Sequence, residues 1–144
     1  MIKKPLVVGS QGQLQQLQAG DSIAITPQFS ATNGDGEAHT PGTVVYISAG
    51  TTVMAAQASS YTTVRAQAIA VEDVDVGEQG LYQYEGMVAG LEGLTPGSTY
   101  FLSSASAGQI TTTPPSASGA WVMVVGQAFS ETELSIELGQ PIEL

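Results

Sequence analysis

Residues 93–138, GLTPGSTYFLSSASAGQITTTPPSASGAWVMVVGQAFSETELSIEL, decide the fold class. Pro96-Gly97 suits the two central positions of a type II turn, because proline pre-sets φ at the first and glycine takes positive φ cheaply at the second. Residues 99–103 and 109–113 then read as the arms of a hairpin joined by the small-residue loop 104–108. Past Pro114-Pro115 and the loop 116–119, residues 121–129 form an apolar run too β-branched to prefer helix. Residues 133–138 alternate polar with apolar at period two. The stretch predicts four strands in a β-meander, and no catalytic arrangement is visible in it. The whole chain is expected to be all-β, a compact β-barrel or sandwich of short antiparallel strands with an extended N-terminal arm. Residues 1–26 are assigned to the arm and residues 27–144 to a single all-β domain.

Composition narrows the function. A chain of 144 residues has the size of one ordinary domain and buries roughly two thirds of its unfolded surface, enough for a core without staples. It contains no cysteine, which excludes a disulfide framework and a thiolate metal site. Thirteen acids face three bases, and after Lys4 the only base is Arg65. A field of that sign repels phosphate and argues against nucleic acid and anionic lipid as partners. Basic or neutral protein surfaces are favoured instead. Charged residues make up only 11% of the chain, while Gln, Ser, Thr, Ala and Gly fill polar positions. That balance suits a β-rich protein embedded in a large assembly, where neighbours cover much of its surface. The opening MIKKPLVVGS has no apolar run of the length of a signal-peptide core or a membrane span.

Along the chain, Pro5-Leu-Val-Val and Gln13-Leu-Gln-Gln-Leu-Gln flank a Gly9-Ser-Gln-Gly turn. A hairpin and an extended arm both fit, and the arm is favoured, with Lys3 and Lys4 as its positive tip. A brief strand at 23–26 ends at Pro27. The Asn33-Gly-Asp-Gly-Glu37 segment resembles part of a calcium loop but lacks the later ligands and the closing bidentate glutamate, so it reads as a solvated turn. His39, the only histidine, reads as an exposed residue without a partner. Residues 40–49, TPGTVVYISA, nearly repeat residues 95–104, TPGSTYFLSS. An internal duplication and a second use of one turn-plus-strand design both account for this.

Residues 52–58 and 61–71 read as strands, the second with Val64, Ala66, Ala68 and Ala70 on one small-residue face. Residues 80–88 read as another, with Gly86 and Gly90 marking bends. Between them, Glu72, Asp73, Asp75 and Glu78 form the densest acidic cluster. Four carboxylates in seven residues could hold a divalent cation or supply acid–base chemistry, but period two places Asp73 and Asp75 on a solvated face opposite the valines. Trp121 reads as a core anchor or an interface anchor. The tail ending in Ile142 and Leu144 must be covered by its own domain or by a neighbour.

Residues 5–21, PLVVGSQGQLQQLQAGD, together with 93–103, GLTPGSTYFLS, 111–115, TTTPP, 125–130, VGQAFS, and 134–138, LSIEL, resemble small structural proteins of tailed bacteriophages. Capsid decoration (cement) proteins, head fibres and tail-fibre segments share such stretches. The resemblance implies a virion component, made in the host cytoplasm, with no enzymatic activity and no cofactor. The leading expectation is a decoration protein, favoured as a homotrimer, that binds the major capsid protein and stabilises the head. Its candidate contacts to capsid or to sister subunits are Lys3, Lys4, Pro5, Leu6, Leu14, Leu17, Trp121, Ile142 and Leu144. The alternative is a head- or tail-fibre module that binds host-surface glycan through exposed Tyr and Trp rings.

Overall fold

The computed structural model of the protein describes residues 27–144, together with two short backbone strands before them. These are β1 (Leu6–Val8) and β2 (Leu14–Gln16), paired antiparallel as a hairpin with Val8 opposite Leu14. The hairpin is the alternative left open beside the favoured extended arm. The strand expected at 23–26 lies outside the described residues.

The body is almost entirely β. β3 (Gln28–Asn33), β4 (Val44–Ala49), β5 (Thr52–Ala55), β6 (Ala68–Ala70) and β7 (Gln79–Gln83) close into a barrel in the order β3-β5-β4-β6-β7. Every neighbouring pair in it is antiparallel except β3 with β5, where Thr32 lies opposite Thr52 and Asn33 opposite Val53. A second sheet has the order β10-β9-β12-β13-β8, built from β8 (Gly86–Val88), β9 (Thr99–Leu102), β10 (Ile110–Thr111), β12 (Val124–Ala128) and β13 (Leu134–Ile136). β11 (Trp121–Val122) leaves that sheet to pair with β14 (Ile142–Glu143).

Side-chain alternation explains how the two bodies join. On β4, Val45 points into the barrel, against Val53, Ala68, Ala70, Val74 and Tyr82. Its neighbour Val44 points the other way, into a larger core with Leu102, Val125, Leu134 and Ile136 of the second sheet. β6 repeats the pattern: Ala68 and Ala70 face the barrel and Ile69 faces the larger core. Strands covered on both faces need continuous apolar sequence, which Val44-Val45 and Ala68-Ile69-Ala70 supply. The alanines keep the barrel narrow enough for Tyr82 to fill it.

The two TPG stretches adopt one design. Thr43 N–H donates to the Thr40 carbonyl (3.0 Å) and Ser98 N–H to the Thr95 carbonyl (3.1 Å), with Gly42 and Gly97 at φ +96° and +83°. These are the bonds and the glycine conformation that a type II turn requires. The strands that follow enter the same core through Val44, Tyr100 and Leu102.

Four expectations are corrected. Residues 93–138 are not a plain meander, because β12 pairs with β9 (Gln127 opposite Thr99) while β10 stays at the sheet edge on the other side of β9. Pro114-Pro115, which lack N–H donors, end β10 and release the chain to cross over. Residues 121–129 are two strands rather than one, interrupted at the buried Met123. The strand expected at 61–71 opens instead with a single helical turn, α1 (Tyr61–Val64), because Ser60 Oγ caps Thr63 N–H (3.3 Å) and Thr63 Oγ1 donates to the Gln57 carbonyl (2.7 Å). Local side-chain bonds of this kind outcompete a ladder. The strand expected at 80–88 breaks into β7 and β8, which belong to different sheets. Gln83 Nε2 holds the corner by donating to the carbonyls of Glu85 (2.8 Å) and Met87 (3.0 Å).

Candidate functional site

Three of the expected contact residues meet in one place. Pairing of β11 with β14 sets Trp121 opposite Glu143 and Val122 opposite Ile142. Leu144 N–H donates to the Ala120 carbonyl (2.9 Å) and Gly119 N–H to the Leu144 carbonyl (3.1 Å), so the pairing extends through Leu144. Trp121 N–H in turn donates to the Ala58 carbonyl (3.0 Å), which ties the ribbon to the body. Period two divides its faces. Trp121 turns inward and packs on the larger core, whereas Ile142 and Leu144 share the opposite face and remain 62% and 46% exposed. Leu6 and Leu14 lie in the two arms of the N-terminal hairpin. Lys3, Lys4, Pro5 and Leu17 lie outside the described residues.

Beside the ribbon, α1 brings Tyr61 against Trp121, with ring centroids 5.6 Å apart and planes tilted by 51°. The Arg65 guanidinium sits 5.5 Å from the Tyr61 ring centre, a cation–π contact. A second apolar patch was not anticipated. Phe129 is 69% exposed, and it lines a shallow groove of about 380 Å³ with Met87, Gly97, Gln127 and Ser135 on the outer face of the second sheet. Period two carries the signal that would have found it, since Phe129 follows Gln127 by two residues and shares its outward face.

The richest cluster of titratable groups surrounds the residue expected to be exposed. His39 is 2% exposed. Its Nδ1 lies 2.8 Å from the Tyr82 hydroxyl and its Nε2 lies 2.6 Å from Asp35 Oδ2, which also accepts from Ala55 N–H at 2.6 Å. The neutral tautomer protonated on Nε2 satisfies every partner: Tyr82 O–H donates to Nδ1, and Nε2–H donates to the carboxylate. His39 is pulled inside because its own backbone bridges Val74, exchanging N–H to carbonyl bonds of 2.9 and 2.8 Å. Asn33, also buried, donates from Nδ2 to the carbonyls of Glu37 and Val74 and accepts from Asp35 N–H. The Asn33–Glu37 turn is thus exposed at Gly34, Gly36 and Glu37, as a solvated turn is, but is pinned to the barrel through Asn33 and Asp35. It borders a cavity of about 550 Å³ into which Asp35, Glu37 and Gln109 face.

Of the acidic cluster, Glu72, Asp73, Asp75 and Glu78 are all exposed, Val74 is buried and Val76 is exposed. The valines thus do not share a face, because the segment is a bend with a single bridge rather than a strand. Glu72 accepts from Leu81 N–H (3.0 Å). Among the described residues no three His, Asp or Glu side chains converge as a metal site would require.

Burial, followed by the charges of Asp35 and Glu72, pushes the Tyr82 hydroxyl up from 10.0 to about 12. The folded state holds this proton more tightly than the unfolded chain does. The associated stability is complete below pH 10 and is lost as pH climbs toward 12. Denaturant midpoints of the wild-type chain should fall across that window, and Tyr82→Phe should remove this component of the fall. An equal decline in both chains would show that Tyr82 is not its source.

Comparison with protein-family models, with curated proteins and with solved structures found no match for this chain, so the reading of its surface rests on its own geometry.

Proposed function

We propose that the protein is a capsid decoration (cement) protein of a tailed bacteriophage, binding the major capsid protein on the head surface and stabilising the shell without chemistry of its own. The observation that carries this reading is the β11–β14 ribbon. It is anchored to the body by backbone bonds, yet presents Ile142 and Leu144 to solvent on one face. Such a rigid apolar edge gains free energy when a flat partner covers it. A homotrimer matches the three-fold positions of a shell, where many weak contacts repeated by symmetry add up. The acidic, phosphate-repelling chain suits the outside of a particle packed with DNA. A second reading, a fibre module that binds host-surface glycan, is favoured by the aromatic pair at Tyr61 and Trp121.

Purified empty heads test the proposal. The chain should co-sediment with them at saturating, integral stoichiometry per shell and raise their disassembly temperature. Ile142→Ser combined with Leu144→Ser should weaken binding by about tenfold or more, from the loss of two aliphatic contacts. The isolated chain should keep its thermal midpoint, because both side chains are already exposed. Absence of head binding, with adsorption to host cells instead, would select the fibre reading.

A further inference from the structure

The helical turn α1, the inward edge of β11 and the start of the tail enclose a groove of about 440 Å³, lined by Tyr61, Arg65, Gln67, Trp121, Gln140 and Pro141 among others. We infer that this groove is a binding site for a neutral pyranose sugar. One wall is aromatic, formed by the tilted Tyr61 and Trp121 rings, and Tyr61 is 60% exposed. The apolar C–H face of a pyranose stacks on such rings, which combine large contact area with little entropy to lose. The rim carries planar hydrogen-bonding groups: the Arg65 guanidinium and the exposed side-chain amides of Gln67 and Gln140. These supply several donors and two acceptors, which matches the mixed donor–acceptor hydroxyls of a sugar. Arg65 forms no ion pair with a described carboxylate and is held instead over the face of Tyr61.

Charge selects the class of sugar. Arg65 is the only base in the chain after Lys4. Glu143 is paired with Trp121 in the ribbon but does not line the groove, so Arg65 is the one charged side chain in its wall. Around it the molecule carries a net charge of −10. A uronic acid would have to enter that negative field, while a neutral hexose or N-acetylhexosamine meets no such penalty. Ile142 and Leu144 lie on the other face of the ribbon, so the sugar site and head docking are separate surfaces. The site stands whether the chain sits on a head or a fibre.

Trp121 is the only tryptophan, so intrinsic fluorescence reports on this groove. The full chain would be titrated with methyl glucopyranoside, methyl galactopyranoside and tri-N-acetylchitotriose, with glucuronate as the anionic counterpart. A saturable change with at least one neutral sugar is expected, and weaker binding of glucuronate. Tyr61→Ala and Arg65→Ala should each weaken the response by roughly tenfold, as loss of one stacking or forked contact implies. Phe129→Ala, on the other sheet, should leave it unchanged. A response that stays linear in every sugar, persists in both groove variants, or is tighter for glucuronate overturns the assignment. Fluorescence change with purified heads and with no sugar would give the groove to a protein partner and overturn it equally.

Discussion

Gly126→Ala is expected to lower the thermal unfolding midpoint by on the order of 10 °C, the loss that about 3 kcal/mol produces in a domain of this size. Gly126 sits in β12 at the centre of the second sheet, opposite Ile136 on β13 and Tyr100 on β9. A Cβ built there falls inside the contact radius of the Ser135 carbonyl oxygen and close to Ile136 Cα. Both obstacles are backbone, so no rotamer change relieves them. The strands must separate, and the bonds between β12 and β13 lengthen over the larger core that holds Leu134 and Ile136. Gly36→Ala is the control, since its Cβ meets nothing within 4 Å and its φ is unremarkable for an L-residue. That change should stay within about 0.5 kcal/mol of wild type. Equal midpoints for the two variants, by calorimetry, would refute the close approach.

His39→Ala is expected to cost about 2–4 kcal/mol, because it opens a cavity and strips a fully buried hydroxyl of its partner. Tyr82 is fully buried and its hydroxyl loses the imidazole as partner, and the Asp35 carboxylate keeps only the bond from Ala55 N–H. The turn should loosen as well, since Asn33, Asp35 and His39 together hold residues 33–39 onto the barrel. The pairing is tested by a cycle: His39→Leu with Tyr82→Phe removes donor and acceptor together, and should cost less than the two single changes added, by about 1 kcal/mol. Strict additivity in denaturant unfolding would mean that the 2.8 Å contact contributes nothing. Hydrogen exchange of the Val74 amide, bonded to the His39 carbonyl, gives an independent local readout.

Much of the fold was legible because turn chemistry is local. Pro-Gly at 41–42 and 96–97, the small-residue loop before Gly108, and the alternation at 134–136 each dictate backbone shape within a few residues, and each forms as read. Where neighbouring bonds compete, the reading failed. The Ser60 cap at α1 and the Gln83 clasp at the β7–β8 corner are side-chain to backbone bonds that a hydrophobic pattern does not register. Of the candidate contacts, Ile142 and Leu144 were read as apolar side chains in need of cover, and they are exposed. Nothing in the order of residues announced that Trp121 would be their neighbour.

The amino-acid sequence by itself determined that this chain is all-β and where its Pro-Gly turns fall, because those properties follow from φ preferences and side-chain period. Only the tertiary structure decided which strands pair beyond the β9–β10 hairpin, that β10 lies at an edge while β12 takes the sheet centre, and that His39 is buried between Asp35 and Tyr82. The reason is that Asp35, His39 and Tyr82 are brought within hydrogen-bond reach by a barrel closure joining β3 to β7, residues some fifty positions apart. Partners at that separation leave no periodic trace along the chain.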